Sequence, residues 1–227
     1  MALDMTHKNL SVLNALREKR NVMTAVMLRD MRTRYFNHGL GFLVVPAWPL
    51  VHMLVLIAIY TIVGRQAPFG DSLRVFFATG LIPTLAFMYV SRYMAMSLTM
   101  NQPMLAFPVV QVLDVAAARA VLETLAGFMT MTFMLAILWL LGDHPFPQDP
   151  YQAAYAYFSV LLLAIGIGTL ASVICMFFRA FIVFYSLAMI IIYISSGTLF
   201  LASSLPDSIS YYLSFNPVVH AVEWMRL

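Results

Sequence analysis

Residues 151–178 read YQAAYAYFSVLLLAIGIGTLASVICMFF, a stretch without one acidic or basic side chain and apolar on every face of a helix. As helix it exceeds the roughly 18 residues needed to cross ~30 Å of hydrocarbon. Leu40 to Val63, Val75 to Val90, Thr124 to Gly142 and Ala180 to Pro206 have the same character. Lipid cannot hydrogen-bond an open backbone, and these runs lack the alternation of barrel strands, so helix is the conformation they dictate. The expected fold is an all-α membrane protein, a polytopic helical bundle with five spans in this chain.

Composition agrees: 62% of the residues are hydrophobic and 10% charged, against about 25% charged in a soluble domain. The 39 residues before the first run and the short loops leave too little polar chain for a separate soluble core. The sequence pI of 9.1 reflects arginines placed as membrane topology places them, so no nucleic-acid partner is implied. Cys175, the one cysteine, lies inside an apolar run and excludes a disulfide within the chain.

Lys8, Arg17, Lys19, Arg20, Arg29, Arg32 and Arg34 precede the first run. Arg92, Arg119 and Arg179 lie in connections that five crossings would put on the same side, against Arg65, Arg74 and Arg226 on the other. The positive-inside rule then sets the N-terminus in the cytoplasm. Asp143 to Pro150, with Pro145, Pro147 and Pro150 but no Lys or Arg, becomes a stiff outward loop.

Residues 1–39 read as a retained cytoplasmic segment, since the apolar stretch Leu10 to Leu16 is too short for a cleaved signal and its basic residues follow it. From Asn21 to Phe36, Met23, Met27, Met31 and Tyr35 recur every four residues, Arg29 and Arg32 occupy another face, and Asp30 and Arg34 are spaced to pair. The expectation is an amphipathic helix on the cytoplasmic membrane surface, its guanidinium groups among lipid phosphates. The alternative is a charge cluster that only sets topology.

Residues 40–205 form the transmembrane part. Trp48 and His52 share a face of the first span beside Pro46 and Pro49, and Tyr89, Arg92 and Tyr93 share one at the end of the second. Arg92 either snorkels to headgroups or lines an aqueous path. Tyr185, Tyr193, Ser195, Ser196 and Thr198 recur in the fifth run. With Tyr60, these residues are candidates for a path whose rings stack on sugars, ordinary helix packing being the alternative for each.

Between Tyr93 and Leu113 the chain carries no charge, yet Asn101, Gln102, Pro103 and Pro108 interrupt it too heavily for a crossing. A bent cytoplasmic connection near 98–115 is expected, with a short helix starting at Asn101. Met104, Leu105 and Phe107 give it an apolar surface that needs cover, from a partner subunit or from the N-terminal helix. Arg119 and Glu123 are spaced to pair on the third helix. Residues 206–227 are too polar to span; Tyr211, Tyr212, Phe215 and Trp224 suit a re-entrant element in the outer leaflet. His220 and Glu223 are i,i+3 neighbours without a third ligand, and read as structural.

No lysine follows Lys19, which excludes a GK[ST] phosphate loop in the membrane body. No zinc-spaced Cys/His cluster and no G-x-S-x-G elbow occurs. The residues favour a permease over an enzyme, with no metal or cofactor in this chain.

The string Leu28-Arg29-Asp30-Met31-Arg32-Thr33-Arg34-Tyr35 is followed by Leu40-Gly41-Phe42-Leu43. Gly80-Leu81-Ile82-Pro83, Asn101-Gln102, Ala118-Arg119-Ala120 with Leu122-Glu123-Thr124-Leu125, and Asn216-Pro217-Val218-Val219-His220 with Glu223 come after it in order. Together they resemble type-2 ATP-binding-cassette permeases that export polysaccharides, and most of all the capsular polysaccharide exporters. The resemblance implies a homodimer of six-span subunits in the bacterial inner membrane, joined to nucleotide-binding ATPase subunits that hold ATP and Mg. The implied cargo is a lipid-linked acidic polysaccharide, with a periplasmic export adaptor as a further partner. It makes Arg29, Arg32, Arg34 and Tyr35, with Arg92, a cytoplasmic gate or headgroup contact. It assigns ATPase coupling to the 100 to 114 loop, hence to Asn101, Gln102, Pro103, Met104, Leu105, Phe107 and Asp114. The path would be lined by Trp48, His52, Tyr60, Tyr89, Tyr93, Tyr185, Tyr193 and Ser196. Members continue past the Asn-Pro motif through a sixth span that this chain lacks. Competing readings are a permease for O-antigen or teichoic acid, a membrane-embedded sugar-lipid transferase, and a non-transporting anchoring subunit.

Overall fold

The computed structural model describes residues 12–34, 39–70, 72–201 and 204–226, and every regular element among them is helical. Helix α1 (Val12–Arg34) and a 3-10 turn (Gly39–Leu43) precede α2 (Val44–Ile62). Next come α3 (Leu73–Ala95), the single turn α4 (Ser97–Met100), a 3-10 turn at Met104–Ala106 and the long α5 (Val112–Leu140). Then follow α6 (Pro150–Phe177), α7 (Phe181–Ile194), α8 (Asp207–Leu213) and α9 (Pro217–Met225). Tyr35 and the side chain of Arg34 lie outside the described residues, and with them the expected Asp30–Arg34 pair.

Among the described residues four stretches are long and apolar enough to cross a membrane: Gly41–Ile62, Leu73–Ala95, Val112–Leu140 and Pro150–Phe177. The run expected as a fifth span, Ala180 to Pro206, is not one helix. Its helix α7 has 14 residues, about 21 Å of rise at 1.5 Å per residue. Ser195 closes it, and Gly197 at φ 74° turns the chain away. The third span also differs from its hydropathy outline. Helix α5 starts at Val112, where Gln111 and Asp114 form a capping box, so its first turns carry charges that hydropathy reads as loop.

Helix α3 is the axis of the bundle. Of its 18-residue membrane window 67% is buried, against 28–39% in the other three spans, and α2, α5, α6, α7 and α9 all pack on it. Phe77, Leu81, Leu85 and Met94 of α3 meet Met53 of α2, Met134 and Leu138 of α5 and Leu161 of α6 in one core. Lipid supplies no hydrophobic drive for this packing, so helices gain by approaching closely at small residues. The closest such approach is at Gly168 of α6, where an added Cβ would lie 2.6 Å from the Ser91 carbonyl oxygen and 2.5 Å from Met94 Cβ. Backbone blocks the first of these, so neither helix can yield locally.

At the end of the bundle away from α1, Asp143 ties two loops together. Its carboxylate pairs with Arg74 (Nε–Oδ2 2.7 Å) and accepts from Ser72 Oγ (2.7 Å), while Ser72 also caps α3. Asp149 caps α6 by accepting from the backbone N–H of Tyr151 and Gln152, with Pro150 at the first helical position.

Gly168→Ala is expected to cost about 1–3 kcal/mol of stability by overpacking. The measurement is the fraction of monodisperse protein surviving a heating series in detergent. Gly166→Ala, whose added methyl meets nothing within 4 Å, should be neutral or slightly stabilising in the same assay.

Candidate functional site

Charge is concentrated at the α1 end of the bundle. Arg119 is 1% exposed, and its guanidinium lies 3.0 Å from Asp30 Oδ2 of α1 and 2.8 Å from Glu123 Oε1 one turn along α5. Asn101 Nδ2 donates to the same Asp30 oxygen (3.3 Å) and to the Ser97 carbonyl (3.0 Å), while Asn101 Oδ1 accepts from Arg29 (3.0 Å). The Arg119–Glu123 pair is the one its spacing suggests. Asp30 is held by Arg119 and Asn101, and Arg29 is bonded to Asn101. Val26 and Asp30 are the buried face of α1, with Met27 and Met31 packed beside Phe42, Val45 and Leu122. Helix α1 therefore docks on α5 and on the loop after α4, and Arg32 stays exposed.

The segment between α4 and α5 is pinned at both ends to α1. Asn101 holds its start, and Asp114 holds its finish through Lys19 (2.9 Å) while accepting from the Gln111 N–H. Asn101 and Asp114 are buried, so they anchor the segment. Between the anchors the chain stands proud: Gln102, Pro103 and Phe107 are exposed and Met104 and Leu105 partly so. Asn101 does not start a helix. It ends α4, and its carbonyl accepts from Met104 N to start a 3-10 turn. An open cleft of about 590 Å³ beside it is lined by Thr99, Met100, Gln102, Pro103 and Arg179, and Arg179 donates to Gln102 (3.2 Å).

A row of rings leads away from this junction along the face shared by α2, α3 and α7. Arg119 lies over Tyr93 (5.6 Å), and Tyr93 and Tyr89 are stacked at 6.4 Å. His52 Nδ1 lies 3.3 Å from the Tyr89 hydroxyl, and its ring is 5.8 Å from Tyr193. Tyr60 stacks on Phe77 at 4.6 Å nearer the far end. His52, Tyr60, Tyr89, Tyr93 and Tyr193 are all half-buried, and Arg92 is exposed beside the row's first rings. Trp48 is 63% exposed on α2 but reaches the row through its side-chain hydrogen bond with Tyr89. Two other candidates stand apart: Tyr185 is buried in the core, and Ser196 is buried in hydrogen bonds to Thr198 and the Tyr193 carbonyl.

The row ends against the irregular segment after α7. Buried backbone without helix partners must be satisfied by side chains. Arg226 supplies three bonds, to the carbonyls of Gly197 (2.9 Å), Thr198 (3.1 Å) and Phe200 (3.2 Å), with its guanidinium 4.2 Å from the Phe76 ring centre. Arg65 donates to the Leu199 carbonyl (2.6 Å) and lies over Tyr60 (5.1 Å). Thr84 and Thr198 hydroxyls meet at 2.9 Å. Asn216 caps α9 and sends its Nδ2 to the Ile192 carbonyl (3.0 Å) and Ser195 Oγ (2.9 Å), so the Asn-Pro motif clamps the end of α7. His220 Nε2 lies 2.8 Å from the Ser214 carbonyl. Among the described residues no group of three His, Cys, Asp or Glu converges.

Sequence reasoning counted Arg65 and Arg226 only towards topology. The available signal was Gly64-Arg65 at the end of an apolar run, a helix C-cap pattern that aims the next side chain back along the helix.

No protein-family model matches the chain. Among curated proteins it is 29% identical over 202 residues to the polysialic acid transport protein KpsM of Escherichia coli, covering 89% of this chain and 78% of that one. It is 25% identical over 220 residues to the capsule polysaccharide export inner-membrane protein CtrC of Neisseria meningitidis serogroup A, covering 97% and 83%. It is 22% identical over 205 residues to the capsule polysaccharide export inner-membrane protein BexB of Haemophilus influenzae, covering 90% and 77%. The likeness read from the motifs, to capsular polysaccharide export permeases, is borne out.

Arg119→Met removes the buried cation that Asp30 and Glu123 share, and is expected to cost about 3–5 kcal/mol. Pairing it with Asp30→Asn should recover part of that loss. A double-mutant cycle on thermal stability in detergent reads the coupling directly.

Proposed function

We propose that this chain is the membrane permease subunit of an ATP-binding-cassette exporter that moves lipid-linked capsular polysaccharide across the bacterial inner membrane. The observation that carries the reading is likeness to capsule export proteins over 89–97% of the chain. The helices long and apolar enough to span agree with it. The excess of Lys and Arg on the α1 side supports a cytoplasmic N-terminus, with α7 and the segment to residue 201 as a fifth, broken crossing and α8 and α9 as the re-entrant outer element.

The fuel is hydrolysed in a separate nucleotide-binding subunit. The exposed middle of the 101–111 segment, with its apolar Phe107, is the surface that subunit grips. Because both ends of the segment are bonded to α1, a push there moves α1 as well, and Arg119 carries the displacement to Tyr93. Through this chain of contacts ATP closure shifts the start of the ring row. Side by side, two copies facing each other across α2 and α7 turn two half-buried rows into one lined path. Both helices present apolar side chains outward, among them Val51, Val55, Phe184 and Ile191. Rings offer sugars broad, weak contacts that suit stepwise advance, and Arg92 adds attraction for an acidic polymer at the entrance.

Phe107→Glu with Leu105→Glu is expected to reduce co-purification of the ATPase subunit at least about tenfold, while the permease still inserts. Intact co-purification would refute the docking surface. Tyr89→Leu with Tyr193→Leu should slow polymer export into inverted vesicles while leaving ATPase binding intact. ATP hydrolysis by this chain purified alone would overturn the reading itself.

A further inference from the structure

Two arginines hold the turn after α7, and they hold it differently. Arg226 spreads three hydrogen bonds over the carbonyls of Gly197, Thr198 and Phe200, and its guanidinium lies 4.2 Å from the Phe76 ring centre. A Cβ on Gly80 would meet Arg226 Nη2 at 2.9 Å, so that clamp is wedged into the helix packing. Arg65 makes a single hydrogen bond to the turn among the described residues, to the Leu199 carbonyl, and is half-exposed. A guanidinium has five N–H donors, so most of the hydrogen-bonding capacity of Arg65 is uncommitted.

Its placement is set by the backbone. Gly64 takes φ 73° and ends α2 with the paired bonds Arg65 N–H to the Tyr60 carbonyl and Gly64 N–H to the Thr61 carbonyl, each 3.1 Å. This left-handed glycine cap folds the next side chain back over the helix it follows. The guanidinium comes to rest over Tyr60 (5.1 Å) and Phe77 (5.6 Å), at the last rings of the row. The row thus begins near one exposed cation, Arg92, and ends at another that is also bonded to the turn.

Resting on the permease reading above, we propose that Arg65 is an anion contact at the outer end of the path, and that it exchanges the Leu199 carbonyl for a carboxylate or phosphate oxygen of the passing polymer. An ionised oxygen adds Coulomb attraction that a neutral carbonyl cannot give, and carboxylate and phosphate match the fork of the guanidinium with two parallel bonds. An arriving anion therefore outcompetes Leu199. The turn then loses one of its two cationic holds while Arg226 keeps the other, so residues 195–201 loosen on demand without unfolding.

The test uses the complete transporter, permease with its ATPase subunit, in proteoliposomes. Two substrates are compared: the acidic lipid-linked polymer, and the same polymer with its carboxylates reduced to alcohols and the lipid phosphate kept. Arg65→Gln and Arg65→Lys are each measured against wild type. Loss of about tenfold in export of the acidic polymer alone by Arg65→Gln, with recovery in Arg65→Lys, supports the proposal with carboxylate as the anion. An equal loss for both substrates that Arg65→Lys restores supports it with phosphate as the anion. Unchanged export in Arg65→Gln overturns it, as does an equal loss that Arg65→Lys fails to restore, which marks a purely structural clamp. Wild type that moves neither substrate refutes the permease reading instead.

Discussion

Arg119 is a full positive charge placed where water does not reach, and the α1 end of the molecule is organised around satisfying it. Two carboxylates from different helices neutralise it, and Asn101, which donates to Asp30 and accepts from Arg29, ties in the loop. A buried ion pair gives little net stability over an apolar packing of the same volume. What it gives here is a fixed register: α1, α5 and the connection after α4 can sit in one arrangement only, because any other leaves a charge unpaired. The exposed loop after α4 and the first ring of the row, Tyr93, are therefore joined to one polar cluster, the ring through its contact with the Arg119 guanidinium.

The far end solves the opposite problem. There the difficulty is backbone, since α7 stops short and its continuation carries buried carbonyls that no helix partner answers. Guanidinium groups answer them instead, and a threonine pair with the Asn216 amide completes the satisfaction. Polar groups in this chain thus mark the two ends of an apolar bundle, and the rings of His52, Tyr60, Tyr89, Tyr93 and Tyr193 connect them.

Hydropathy made the four long helices legible, because a span is a local property of composition. It misplaced the start of α5, whose early charges are hidden by tertiary contacts that no window sees, and it ran α7 through Gly197, where one glycine after two serines outweighs the apolar average. The pair Arg119–Glu123 was readable from spacing. The partnership of Asp30 with Arg119 was not, since those residues are 89 positions apart in sequence and only the fold brings them together. The same reason sorts the candidate rings. Helical periodicity put Trp48 and His52 on one side, and both meet Tyr89 of α3 there, while Tyr185 of α7 is buried in the core instead. Local sequence names a face; which neighbour covers it is a property of the whole chain.

The close approach at Gly168 divides the molecule mechanically. With Ser91 backbone against α6 there, these two helices have no side-chain cushion between them and cannot slide without collision, so they form one rigid unit. The charged cluster locks α1 to α5 in the same way, which leaves α2, carrying His52 and Tyr60, and α7 with its turn as the elements seated on the bundle by side chains alone. The α3–α6 pair is the fixed pillar from which the position of every other helix is set.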